Sequence, residues 1–226
     1  MGLSNILILS QIAGYVIILI LSLCIFIPIY LQVSDFNGHC LLFANGTWRE
    51  DDGLFDVKWP SKVFCNFPMA TGAFLFFFAI FQIYRFAHLA YNQKDTSFIG
   101  LFLDVAFGIV MLFLIVISAV FITVGFIFWC SAMTERFPSC EIAAGQNITK
   151  ENEKVDTSRF YIEMGTAQFG AWGSFAFAVG VIVTSLLKLI NNHQTTNIRV
   201  SMYLERQRLV NEDSYIGPLD NRSASN

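Results

Sequence analysis

Apolar and polar residues fall along this chain in blocks. Four apolar runs, 5–31, 69–91, 98–129 and 164–190, are separated by polar stretches. None keeps the polar stripe that a water-exposed helix shows at a period of 3.6 residues. At about 1.5 Å rise per residue, the two central runs reach roughly 35 Å and 48 Å as helices. A bilayer core of about 30 Å takes about 20 residues, so every run is long enough to cross. The pattern predicts an all-α membrane protein, a four-helix transmembrane bundle with a small disulfide-bonded, partly β extracellular cap. The whole of 1–226 reads as one four-span membrane domain. Its connections are an outer loop at 32–68, an inner turn at 92–97, a second outer loop at 130–163 and a tail at 191–226. Four spans place both termini on one side.

Composition agrees with the pattern and narrows the function. The chain is 55% hydrophobic and 14% charged, against about 25% charged in a soluble domain. A net charge of −3 gives no reason to expect a nucleic-acid partner. The first run has no basic segment ahead of it and outruns a signal-peptide core, so it is expected to be a retained span. Ile6 breaks the myristoylation pattern at the start.

Sidedness comes from the loops. Asn45-Gly46-Thr47 and Asn147-Ile148-Thr149 are glycosylation sequons, one in each long loop. The same loops hold Cys40, Cys65, Cys130 and Cys140, which implies an oxidising compartment. Both loops are therefore expected outside and both termini in the cytoplasm. The protein is expected in the plasma membrane, with the ER or another secretory compartment as the alternative. Lys and Arg are balanced across the two sides and give no orientation. Three disulfide pairings are open. Cys40–Cys65 with Cys130–Cys140 is preferred because each closes within its own loop, and a bridge between loops stays possible on sequence grounds. Cys24 reads as a small buried apolar residue.

Details follow from turn chemistry. Residues 39–43 are expected as a short strand, Asn45-Gly46 as its turn and 47–50 as the return strand. Glu50, Asp51 and Asp52 form an acid cluster without the spacing of a calcium loop, so they read as a solvated face. Pro28 is expected to kink or end the first helix. Trp129 is expected as an interfacial anchor. The tail over 198–209 has the make-up of a short amphipathic helix on the inner leaflet, with disorder from 211.

Two features inside the runs carry candidate chemistry. Arg85 and Asp104 lie at equal depth from the inner turn, so an antiparallel hairpin lets them face one another. Each charge costs at least about 2.5–3.5 kcal/mol to insert, which makes an intramembrane ion pair a natural compensation. Separate snorkelling to water is the plainer alternative. Thr166, Gly170, Ser174 and Ala178 recur every fourth residue, a small-residue stripe of the kind that lets helix backbones approach closely. That stripe serves packing within the bundle or docking of a partner. His39, His88 and His193 are scattered, no acid–base or metal constellation is visible, and neither enzymatic activity nor a cofactor is expected.

Three stretches together carry a resemblance. They are Asp35-Phe36-Asn37-Gly38-His39-Cys40-Leu41-Leu42-Phe43 with Trp48, then Gly125-Phe126-Ile127-Phe128-Trp129-Cys130 with Ser139-Cys140-Glu141, and Phe160-Tyr161 with Ala167-Gln168-Phe169-Gly170-Ala171-Trp172. In order and spacing they resemble the transmembrane protein 179 family. The resemblance implies four spans with both termini inside, and it brings no reaction. The architecture is also similar to claudins and calcium-channel gamma subunits, by analogy only, since Gly53-Leu54-Phe55 lacks the usual Trp. The function expected is that of a non-enzymatic accessory subunit. It would pack in lipid, through its transmembrane helices, on a larger channel, receptor or transporter. The alternative is a self-assembling pore or cell-junction protein, a homo-oligomer.

Overall fold

A computed structural model of the chain describes residues 3–92, 98–146, 148–149 and 155–216. The elements are α1 (Leu3–Asp35), β1 (Asn45–Trp48), β2 (Phe55–Lys58), α2 (Val63–Asn92), α3 (Phe98–Thr134) and α4 (Phe160–Ile216). The four helices are each long and apolar enough to cross a membrane. Turn residues 93–97 and Asn147 lie outside the described residues.

Helix α1 packs along both α4 and α2, α4 also takes α3, and of these neighbouring pairs α2 and α3 touch least. The close contacts are made where a helix offers no side chain. A Cβ at Gly170 would sit 2.9 Å from the Leu21 carbonyl oxygen of α1. Pro28 lies inside α1, which continues unbroken to Asp35, so it does not end the helix. Neighbouring helices and local adjustment absorb the missing hydrogen bond in a packed bundle. Two apolar cores stack along the bundle. One lies under the cap around Trp129 and Phe36, and the other lies toward the turn side around Tyr15, Phe86, Met111 and Ile115.

The cap holds one antiparallel hairpin, but with a different register from the one expected. Asn45 pairs with Lys58 and Trp48 with Phe55. Asn45-Gly46 is thus strand, and the turn falls at 49–54, closed by the Arg49 N–H donating to the Leu54 carbonyl at 2.9 Å. Residues 39–43 are not a strand. Cys40, Leu41 and Leu42 are buried in succession, and a strand buries alternate positions. Phe43 then takes φ 65°, the left-handed region that side chains rarely enter. It is held there by its N–H donating to the Gly125 carbonyl at 3.2 Å and by the Phe64 ring at 4.8 Å. Gly125 permits this approach, since a Cβ there would stand 2.8 Å from the Leu42 Cβ.

Trp129 is fully buried and is not an interfacial anchor. The cap folds over it, with the Phe36, Phe55 and Phe160 rings 6.0, 6.0 and 6.1 Å away. The Trp48 indole N–H donates to the Ala132 carbonyl at 2.9 Å and clasps the hairpin to α3. At the entry to α4, hydrogen bonds from the Ser158 hydroxyl and backbone N–H hold the Asp156 carboxyl below its ordinary range. The tail also departs from expectation. Helix α4 runs straight on to Ile216, so 198–209 is not a separate helix and 211–216 is helical.

Candidate functional site

The site is a charged layer that crosses the bundle near its turn side. Helix α2 supplies Gln82 and Arg85, three positions apart and therefore on one face. Helix α3 supplies Asp104. The Arg85 Nη1 and Nη2 donate to the two Asp104 carboxylate oxygens, a bidentate pair. Arg85 Nη1 also donates to the Gln82 side-chain Oε1 at 3.2 Å, and Gln82 Nε2 donates to Asp104 Oδ1 at 3.4 Å. The Asp104 side chain is 3% exposed and that of Arg85 30%. The acid is thus inside the bundle and the base at its edge.

The other two helices complete the layer. Tyr15 of α1 stacks on the Phe86 ring at 5.9 Å. The Arg85 guanidinium carbon lies 5.3 Å from that ring centroid and the Lys188 Nζ of α4 lies 5.4 Å from it. A cation over an aromatic face is attracted by the ring quadrupole. Nearby, the Gln11 amide of α1 donates to the Ser185 hydroxyl of α4 at 2.8 Å. Lys188 is 6% exposed, and among the described residues its Nζ has no hydrogen-bond acceptor. Sequence reasoning overlooked Lys188, Gln82 and Tyr15. The available signal was Lys188 itself, a lysine inside an apolar run.

From Gly170 onward the small-residue stripe faces inward, while Thr166 is half-buried. Ser174 and Ala178 are buried, Gly170 meets Leu21 and Cys24 of α1, and the Thr166 hydroxyl donates to the Ile162 carbonyl of its own helix at 2.8 Å. α1 fills the seam, so the docking reading of Gly170, Ser174 and Ala178 gives way to the packing one. Both within-loop disulfides form, Cys40–Cys65 and Cys130–Cys140, with Cα separations of 5.7 and 5.1 Å. They staple the cap to the cap-side ends of α2 and α3.

Asn45 is exposed on β1. Asn45→Gln is expected to remove one glycosidase-sensitive step in gel mobility while leaving the membrane level unchanged, read by immunoblot. An unchanged band would place this loop out of reach of the glycosylation machinery. The three histidines stay apart. His39 stacks on Trp59 at 4.8 Å, His88 lies beside the Tyr84 ring at 6.4 Å, and His193 sits beside Asn197 on α4. Among the described residues, no group of three or more His, Cys, Asp or Glu is placed to hold a metal ion.

A four-helix membrane bundle closed by a disulfide-bonded β-hairpin cap defines a claudin-like, multi-pass membrane protein. The chain belongs to the transmembrane protein 179/179B claudin domain family, which it matches over residues 7–210. It is 23% identical over 172 residues to transmembrane protein 179B of Danio rerio, covering 74% of this chain and 75% of that protein. No solved structure matches. The family model carries the description of a claudin domain, in keeping with the claudin-like architecture. The departure at Gly53-Leu54-Phe55 falls in the hairpin loop and its return strand, where a change leaves the helix order intact.

Proposed function

We propose that this protein is a non-enzymatic accessory subunit that packs against a larger integral membrane protein, a channel, receptor or transporter, and modulates its assembly, trafficking or gating. One observation carries the reading. Phe74, Phe77, Phe81 and Tyr84 are all exposed on α2, at steps of three and four residues that set them on one face. Lipid is served by any apolar side chain. A stripe of rings at this spacing also presents the knobs that a partner helix packs between. With the α4 seam filled by α1, this stripe takes over as the docking face. The proposal includes residence in the plasma membrane with both termini in the cytoplasm.

Tagged protein purified in mild detergent from its native tissue tests it. A stoichiometric channel, receptor or transporter is expected to accompany the wild type. The Phe77→Ala, Phe81→Ala double variant is expected to lose most of that partner at an unchanged membrane level. A partner retained by the double variant would overturn the stripe as docking face. The family's claudin description favours a second reading, a self-assembling junction or pore protein. A homo-oligomer with no second polypeptide would select it.

A further inference from the structure

Three charged side chains meet in the layer, and they do not balance. The bidentate contact with Arg85 and the Gln82 amide occupy Asp104. Lys188 remains, buried at 6% exposure and, among the described residues, without a hydrogen-bond acceptor. With Lys188 in its protonated form, one surplus positive charge is enclosed among apolar helices, and an unpaired buried charge calls for a counter-charge. The ring of Phe86 offsets this only in part.

Depth identifies where a counter-charge is to hand. From Trp129 at the base of the cap, α3 descends roughly 37 Å to Asp104 at about 1.5 Å per residue. From Met164, α4 descends roughly 36 Å to Lys188 on the same rise. The hydrocarbon core is about 30 Å thick and the bilayer about 40–45 Å with its headgroups. With the cap-side ends of α3 and α4 set at one edge of the hydrocarbon, the layer falls at the level of the lipid phosphates of the turn-side leaflet. Arg85 provides the approach. Its side chain is 30% exposed, and it bridges α2 to α3, the neighbouring helices with the least contact between them.

We propose that Arg85 and Lys188 form a binding site for the phosphate of an anionic lipid in the turn-side leaflet, docked at the α2–α3 edge of the bundle. The phosphate takes the outward N–H groups of the guanidinium, a fork suited to phosphate oxygens. It also supplies the acceptor that the Lys188 ammonium lacks, which the flexible four-carbon stem brings out from over Phe86. Asp104 keeps Arg85 aimed at the edge, and with Lys188 protonated the three side chains sum to plus one.

The test is thermal unfolding of the full chain in a neutral detergent, titrated with short-chain phosphatidylglycerol, short-chain phosphatidylcholine or inorganic phosphate. A saturable rise in Tm with phosphatidylglycerol is expected, with a much smaller one for phosphatidylcholine and none for inorganic phosphate. Lys188→Met is expected to weaken the apparent affinity about tenfold, the scale of one charge-assisted hydrogen bond, and Lys188→Arg to restore it. If Lys188→Met does not fold, Lys188→Gln carries the comparison. Equal titrations of the wild type and the neutral variant would overturn the site. So would a wild type that ignores phosphatidylglycerol, and an equal response to inorganic phosphate would overturn the lipid as its ligand.

Discussion

Asp104→Leu is expected to destabilise the protein by about 3–5 kcal/mol, the usual result of stripping one partner from a buried ion pair. The physical reason is the arrangement around the carboxylate. Arg85 donates to both of its oxygens and Gln82 to one. Removing it strands the guanidinium at the edge of the bundle and takes the carboxylate away from beside the buried Lys188. The double variant Arg85→Met, Asp104→Leu is expected to recover most of the loss, because apolar replacements of similar size make buried pairs nearly dispensable. Unfolding of the two single variants and the double in detergent closes the cycle. A double variant as unstable as the sum of the singles would mean that the pair has no mutual energy and that each charge finds water separately.

Gly170→Leu is expected to abolish monodisperse protein. A Cβ there would stand 2.9 Å from the Cys24 Cβ and 2.9 Å from the Leu21 carbonyl oxygen. The second obstacle is backbone, which cannot turn aside as a side chain can. Overpacking a core typically costs about 1–3 kcal/mol where side chains can repack, and here α1 and α4 must separate instead. Gly180→Leu on the same helix is the control, because its Cβ would meet nothing within 4 Å. Size-exclusion profiles are expected to separate the two variants clearly, with Gly180→Leu like the wild type. A sharp wild-type peak from Gly170→Leu would sink the account of the seam. Loss of a partner from Gly170→Leu would therefore report a broken bundle, and the aromatic face of α2 is the place to test docking.

The parts legible in the sequence are those that depend on distance along the chain. Run length and hydropathy are local quantities, so four spans and two long loops could be counted directly. Cys130 and Cys140 are close in sequence, which made their bridge the natural choice. Arg85 and Asp104 could be matched because a short turn fixes their relative depth. Lys188 sits on a helix that reaches the layer only after the second outer loop, so counting out from the turn never met it.

Rotation about each helix axis was not local. Whether Gly170 faces lipid or α1, and whether Phe77 faces out, depends on which helices pack side by side, and α1 lies between α2 and α4 only in the folded chain. The cap illustrates the same point. Asn45-Gly46 is a strong hairpin signal, yet the left-handed turn at Phe43 and the burial of Leu41 and Leu42 on α3 shift the register so that the acid cluster takes the loop. Trp129 has the make-up of an interfacial residue and is enclosed because the cap closes over it. By itself the sequence determined the class, the spans and the chemistry available at each depth, because apolar transfer and helix rise act residue by residue. Tertiary structure alone decided the hairpin register, the filling of the α4 seam and the meeting of Arg85, Asp104 and Lys188, because those depend on helix rotation and on contacts between segments far apart in the chain.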